Sequence, residues 1–119
     1  WLKYKGISLS TLAGEVRHGI VHRLDKQTSG AMVVAKTNQA HINLSKQLQD
    51  KSMGRYYLCI VDNPLKEQKI IDQPIARNPK NRLKMSVTAG GRESKTLYQP
   101  IQTSQDGKQQ LLLCKLYSG

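Results

Sequence analysis

The stretch Gly19-Ile20-Val21-His22-Arg23-Leu24-Asp25-Lys26-Gln27-Thr28-Ser29-Gly30, followed by the apolar run Ala31-Met32-Val33-Val34-Ala35, decides how the rest of the chain is interpreted. An apolar step, a charged turn centred on Asp25 and a second apolar run predict a strand, a loop and a second strand. Functional side chains concentrate on loops that a rigid scaffold holds in place. The loop around Asp25 is therefore the first candidate for a functional site.

Outward from this stretch, the sequence predicts one helix and several strands. Thr37 and Asn38 are good capping residues, and the apolar residues Ala40, Leu44 and Leu48 recur at helical spacing. A helix is predicted from about Asn38 to Lys51, with Gly54 as its stop. A strand is predicted over Arg55–Val61 and is expected to be central, because its apolar residues are continuous. A second strand is predicted over 69–75, where Pro74 marks an edge or a break. Three more strands are predicted to form an antiparallel meander: Met85–Val87, Lys95–Tyr98 and Gln110–Cys114. The predicted fold class is α+β, with a mixed, mainly antiparallel sheet and a flanking helix.

The charge balance favours a polyanionic partner. The 119 residues suit one domain, and 19 Lys and Arg against 8 Asp and Glu give a formal net charge of +11. Nucleic acid is favoured over a membrane surface because the sequence has no long basic amphipathic helix and no apolar run near 18 residues. Cys59 and Cys114 lie inside apolar, strand-like runs, where buried reduced thiols are usual, so a cytoplasmic location is expected.

The motif His22-Arg23-Leu24-Asp25, two further residues and Thr28-Ser29-Gly30 resembles the signature of the RNA pseudouridine synthases that modify ribosomal RNA and some transfer RNA. The resemblance continues in register through Val33–Lys36, Arg55–Leu58, Arg82–Met85 and the segment from Cys114 onward, so it covers most of the chain. It implies an isomerase that converts specific uridines to pseudouridine, with large-subunit ribosomal RNA as the favoured substrate. It also implies that residues 1–119 are part of a catalytic domain that is incomplete at both ends, in a protein expected to be a monomer.

The resemblance assigns roles to individual residues. It implies that Asp25 is the catalytic nucleophile, attacking either the sugar or the uracil ring, and carboxylates perform such chemistry in glycoside hydrolysis. Tyr57 matches the tyrosine of the active site, and Arg23 matches the residue that enters the RNA as the target base flips out. An ion pair with Asp25 or with another acid is the alternative role for Arg23. The further residues predicted to bind RNA are His22, Arg77, Lys80, Arg82 and Lys84, the last four in a loop of four cations without an acid.

No metal or cofactor is expected. His18 and His22 are four residues apart, a spacing that suggests metal ligands on a helix, but the residues between them predict a strand. The reaction implied by the resemblance is an isomerisation without net redox change, and the family uses no cofactor.

One departure from the family pattern concerns the end of the sequence. The family has, after the segment matching Cys114 to Gly119, an arginine that pairs with the catalytic aspartate, and that motif lies outside these 119 residues. We therefore expect this piece alone to be weakly active or inactive. The residues also allow two other functions: a non-catalytic RNA-binding module and a basic structural protein of the ribosome.

Overall fold

A computed structural model describes residue 2 and residues 4–14 and 17–118. The chain forms two compact units, Trp1–Met53 and Gly54–Gly119, and each is described by itself. Within the described residues, no helix has the length and apolar character needed to cross a membrane.

Backbone hydrogen bonds outside regular secondary structure hold the first unit together. Ser10 N donates to Ala35 O (3.0 Å), Ala35 N donates to Gly19 O (2.8 Å), and Gly19 N donates to Ser10 O (2.8 Å). These bonds join three segments that are distant in sequence. The predicted strands on either side of Asp25 are not formed, because the two apolar runs meet only at the antiparallel bridge between Ile20 and Val34. The prediction of two strands was therefore wrong, and the structure shows a single antiparallel bridge in their place.

The predicted helix is present as α1, Asn38–Gln49. Thr37 is its N-cap and accepts a hydrogen bond from Ala40 N (3.1 Å). The helix ends earlier than predicted, because Asp50 is the C-cap and Lys51 takes the left-handed conformation (φ 63°) that normally favours glycine. Asp50 also accepts a hydrogen bond from Ser52, which lowers the pKa of its carboxyl group.

The second unit contains a four-stranded antiparallel sheet, whose strands are β1 Arg55–Val61, β2 Lys69–Asp72, β5 Lys95–Thr103 and β6 Gln110–Leu116. Across the sheet the strands follow the order β1-β6-β5-β2. Strand β1 lies at an edge of this sheet, so the expectation that it is central was wrong. The reason is visible in its burial pattern: exposed and half-buried residues alternate, and the exposed set Tyr56, Leu58 and Ile60 is apolar. Apolar residues therefore lie on both faces of an edge strand.

The remaining two strands, β3 Ile75–Arg77 and β4 Met85–Val87, form a separate antiparallel hairpin. Pro74 separates β2 from β3, as predicted for a break, because proline has no N–H to continue a ladder. The predicted meander is correct for β5 and β6 but wrong for β4, which pairs with β3. All strand pairs of the described residues are antiparallel, and one helix accompanies them, which confirms the α+β class.

The best-buried residues of the second unit lie on β6. Leu112 and Cys114 are 2% and 6% exposed, and Gln110 is 4% exposed. Both polar atoms of the Gln110 side chain are hydrogen-bonded: Oε1 accepts from Leu65 N (2.8 Å), and Nε2 donates to Leu65 O (3.0 Å) and to Thr103 Oγ1 (3.1 Å). The side chain thus fixes the loop after β1 to β6, because a buried amide is costly unless its polar atoms are paired.

The two cysteines are free thiols on neighbouring strands, with 3.3 Å between Sγ of Cys59 and Sγ of Cys114. Burial, followed by the hydrogen bond with Cys59, raises the pKa of the Cys114 thiol to about 12. Cys114 is buried as predicted, whereas Cys59 is half-buried.

Candidate active site

Asp25 lies in a turn between the two antiparallel segments of the first unit. Thr28 N donates to the backbone oxygen of Asp25 (2.9 Å), which closes the turn, and the Asp25 side chain is exposed. Arg23, two residues earlier, is exposed as well. Within the described residues of the first unit, neither Arg23 nor Asp25 takes part in an ion pair. The alternative role for Arg23, an ion pair with Asp25, is therefore not formed in this structure.

The stem of this turn is fixed at Gly19. Its φ is +70°, and a Cβ added there would lie 2.3 Å from Ala35 O and 3.0 Å from Val34 Cγ1. Only glycine fits both the left-handed backbone and this close approach to another backbone segment. The same residue donates to Ser10 and accepts from Ala35, so Gly19, three residues before the motif, anchors the loop that carries Asp25.

His22 has a structural contact within the motif. Its Nε2 accepts a hydrogen bond from Val33 N at 3.0 Å, and the ring is half-buried. An accepting Nε2 places the proton of the neutral imidazole on Nδ1. His22 therefore joins the segment before Asp25 to the segment after it, a contact that the sequence analysis did not predict.

An open cleft of about 570 Å³ lies beside this turn. Its lining combines apolar side chains with three cationic or imidazole groups: Arg17, Ile20, Val21, His22, Arg23, Leu24 and Met32. The volume is within the range of sites that bind small molecules or single groups of a larger ligand. A mostly apolar wall with an exposed guanidinium suits a flat, neutral ring attached to an anionic backbone.

Tyr57 belongs to the second unit, on β1. It is half-buried and lies opposite Cys114 of β6, and Cys114 in turn is opposite Tyr98 of β5. Tyr56 faces the other side of the sheet, where it is 58% exposed and has the Lys115 ammonium 5.7 Å from its ring centre. The alternation of side chains along a strand places Tyr57 and Tyr56 on opposite faces of the sheet.

The other predicted RNA-binding residues lie together on the β3–β4 hairpin. Arg77 ends β3, and Lys80, Arg82 and Lys84 are in the loop that follows; all four are exposed. The guanidinium of Arg77 donates to Arg82 O (2.8 Å) and so crosses the loop. The structure thus brings these four cations together on one hairpin, while His22, Arg23 and Asp25 share the turn of the first unit.

Sequence reasoning missed the contribution of Ser10 and Asn38. Ser10 is 1% exposed, and its hydroxyl donates to Asn38 Oδ1 (2.9 Å), which also accepts from Thr11 N (3.1 Å). The side-chain amide of Asn38, at the start of α1, therefore fixes the segment around Ser10, and Ser10 in turn accepts a hydrogen bond from Gly19. A serine in a run of small polar residues gives no sequence signal for such a role, because its partners Gly19, Ala35 and Asn38 are 9, 25 and 28 residues away.

The fold and this turn define an α+β protein with an exposed carboxylate on a closed loop, and comparison with known proteins gives the family. The family model described as RNA pseudouridylate synthase matches residues 2–119, and the chain belongs to that family. It is 45% identical to an uncharacterized RNA pseudouridine synthase of Helicobacter pylori strain J99, over all of this chain and 38% of the relative. It is 41% identical to the ribosomal large subunit pseudouridine synthase D of Nitrosomonas europaea, over 87% of this chain and 29% of the relative.

Solved structures agree on the fold. Human RNA pseudouridylate synthase domain containing 1 superposes with a TM-score of 0.78 at 20% identity, covering 99% of this chain and 49% of that chain. The chain therefore matches 38% and 29% of the length of these two curated relatives and about half of this structural neighbour.

Proposed function

We propose that the protein isomerises specific uridines to pseudouridine in structured RNA, with large-subunit ribosomal RNA as the substrate. One observation carries the proposal: the exposed Asp25 carboxylate stands in a closed turn whose stem is fixed by the Gly19 and Ala35 hydrogen bonds. Membership of the family supports the reaction, and the ribosomal RNA substrate is supported by the name of the Nitrosomonas europaea relative. The free thiols of Cys59 and Cys114 favour a reducing compartment such as the cytoplasm.

The chemistry requires one bond to break and one to form. The bond between uracil N1 and ribose C1′ breaks, the base turns, and C5 bonds to C1′; C5 loses its proton and N1 gains one, so the net change is an isomerisation. Asp25 supplies the nucleophile, either at C1′ or at the uracil ring, and leaves when the new bond forms. Because its carboxylate is exposed, a flipped-out uridine can reach it without any rearrangement of the turn.

Arg23 and Tyr57 complete the proposed machinery. A uridine in a stacked helix is inaccessible, and flipping it out costs a few kcal/mol. Arg23 is exposed beside the cleft, and it forms no ion pair with the described residues of its unit. In the proposal its guanidinium enters the RNA as the target base flips out. In the proposal the ring of Tyr57 contacts the uracil, and its phenolic oxygen takes a proton from the sugar and returns it when C5 bonds to C1′, so the sugar is unchanged at the end of the reaction. His22 orders the turn, and the four cations of the β3–β4 hairpin bind phosphates.

The test is modification of ribosomal RNA by the full-length protein and by its Asp25→Asn variant, with carbodiimide labelling and primer extension on unmodified transcripts. Asparagine keeps the size and polarity of the side chain and removes the nucleophile. We expect a stop with the wild type only and equal RNA affinity for both proteins. Asp72→Asn is the matched control, because Asp72 is also an exposed aspartate but lies on β2. Undiminished modification by Asp25→Asn would refute the proposed role of Asp25.

The second candidate, a non-catalytic RNA-binding module, predicts RNA binding without a stop from any version. The 119-residue chain can be assayed beside the full-length protein. We expect it to bind RNA but to give little or no stop, since the resemblance places an arginine partner of Asp25 outside these residues. Full turnover by the short chain would contradict that expectation and leave the main proposal intact.

A further inference from the structure

The β3–β4 hairpin exposes apolar side chains next to its cations. Leu83 is 95% exposed, more than any other large apolar residue in the described part of the chain, and Met85 and Val87 on β4 are 62% and 59% exposed. Met85 and Val87 share one face of the hairpin, because alternate residues of a strand point to the same side. Arg77 is directly opposite Met85, so a cation lies on that same face. The hairpin thus combines an apolar face with positive charge.

The loop that carries Leu83 is closed by several hydrogen bonds. Asn78 N donates to Lys84 O (2.9 Å), and Lys84 N donates to Asn81 O (2.9 Å). The side-chain oxygen of Asn78 accepts from Lys80 N (2.8 Å) and Asn81 N (3.2 Å), and that of Asn81 accepts from Leu83 N (3.2 Å). The backbone position of Leu83 is therefore set before any partner binds. A preordered contact loses less conformational entropy on binding than a flexible one.

A partner that covers this surface must satisfy both of its properties. The apolar side chains gain free energy only if they leave water, at about 25 cal/mol per Å² of apolar area. The neighbouring cations Arg82 and Lys84 require anionic groups, and lysine is depleted at the cores of protein interfaces. An unpaired RNA strand meets both needs, because its bases offer flat, weakly polar faces a short distance from the phosphates. Paired RNA does not, since its base faces are stacked inside the helix.

We propose that the β3–β4 hairpin is a platform for an unpaired segment of the substrate RNA, whose bases contact Leu83, Met85 and Val87 while its phosphates contact the basic loop. The proposal rests on the proposed function only in taking RNA as the substrate. It assigns Leu83 a role that charge alone does not supply: the hairpin distinguishes unpaired from paired RNA.

The test measures binding of the full-length protein to a labelled oligouridine and to a fully paired RNA hairpin of equal length, over a range of salt concentrations. We expect Leu83→Ala to weaken oligouridine binding about 3- to 10-fold, to leave duplex binding unchanged and to leave the salt dependence unchanged. Leu83→Phe should bind at least as tightly as the wild type, because aromatic rings stack on bases. Lys84→Gln should reduce the slope of log K against log salt by about 0.7, the value for one phosphate contact on a single strand.

Leu12→Ala is the matched control, because Leu12 is a 52% exposed leucine in a loop of the first unit. Circular dichroism and thermal unfolding establish that each variant is folded; Leu83 is so exposed that its truncation removes no packing. The proposal is overturned if Leu83→Ala binds oligouridine like the wild type, or if Leu12→Ala is weakened equally. It is also overturned if Leu83→Ala binds both RNAs normally but loses a stable complex with another protein, which would make the hairpin a protein-binding surface.

These outcomes separate the two proposals. Pseudouridine formation that depends on Asp25, together with normal oligouridine binding by Leu83→Ala, refutes the platform and retains the enzyme. Weakened oligouridine binding by Leu83→Ala, without any pseudouridine formation by the wild type, supports the platform and refutes the enzyme.

Discussion

Replacement of Gly19 by alanine should destabilise the Asp25 turn by more than the loss of one hydrogen bond, because it adds backbone strain and disturbs several hydrogen bonds at once. Alanine in a left-handed conformation costs about 1–2 kcal/mol. The new Cβ would lie 2.3 Å from Ala35 O, so the two backbone segments must separate by about 0.7 Å to reach the shortest normal contact of 3.0 Å. That movement breaks or lengthens the bonds among Ser10, Gly19 and Ala35, each with a net value of about 1 kcal/mol. We expect a total loss of about 3–5 kcal/mol.

Gly14→Ala separates the clash from the backbone strain. Gly14 also has a positive φ, +82°, but a Cβ added there meets no atom within 4 Å, so only the conformational cost of about 1–2 kcal/mol applies. Both glycines belong to the first unit. The difference between the two variants, about 2–3 kcal/mol, therefore measures the close approach of the Gly19 stem to Ala35.

The assay is amide hydrogen exchange followed by mass spectrometry, on peptides that contain Ser10, Gly19 and Ala35. A loss of 3–5 kcal/mol in local stability accelerates exchange of these amides about 150- to 4,000-fold when exchange is limited by the opening equilibrium. Gly14→Ala should accelerate it only about 5- to 30-fold. Equal acceleration in the two variants would refute the reasoning, because it would mean that the contact with Ala35 adds nothing to the strain. Retained Asp25-dependent modification by Gly19→Ala would refute the link from the stem to the site.

Three further predictions concern stability. Lys51→Gly should raise the free energy of unfolding by up to about 1 kcal/mol, measured by urea unfolding, because glycine suits the left-handed position after α1; an unchanged or lower value would contradict this. Gln110→Leu should lower it by about 2–4 kcal/mol, since the N–H and C=O groups of Leu65 lose their partners, whereas Gln109→Leu, at an exposed position, should cost far less. Because folding raises the pKa of the Cys114 thiol, the thiol ionises in the unfolded state before it does so in the folded state as the pH rises above 9. The free energy of unfolding should therefore fall between pH 9 and about 12, and this part of the pH dependence should be absent in Cys114→Ala.

Local patterns predicted the helix and the strands of the second unit well. Thr37 capping followed by apolar residues at helical spacing identifies α1, and the bounds of β1 are as predicted, because both signals are contained within a few neighbouring residues. Strand order was not predictable in the same way. The apolar character of β1 on both faces indicated a central strand, yet β1 is an edge strand whose outer residues Tyr56, Leu58 and Ile60 are exposed. Hydropathy reports which side chains avoid water, and it does not report which strand lies beside which.

The candidate site shows the same division between local chemistry and distant support. The motif points to Asp25 and its neighbours because the proposed chemistry needs those residue types in one loop. The residues that hold the loop in place, Ser10 and Ala35, have no part in the proposed chemistry and form their hydrogen bonds with Gly19 through the backbone. A backbone hydrogen bond can be made by almost any residue, so no composition or spacing marks these positions. Gly19 is the exception, because the close approach to Ala35 excludes every side chain and leaves a trace in the sequence. Substitutions that disable the site should therefore include changes at this stem, where no residue takes part in the reaction.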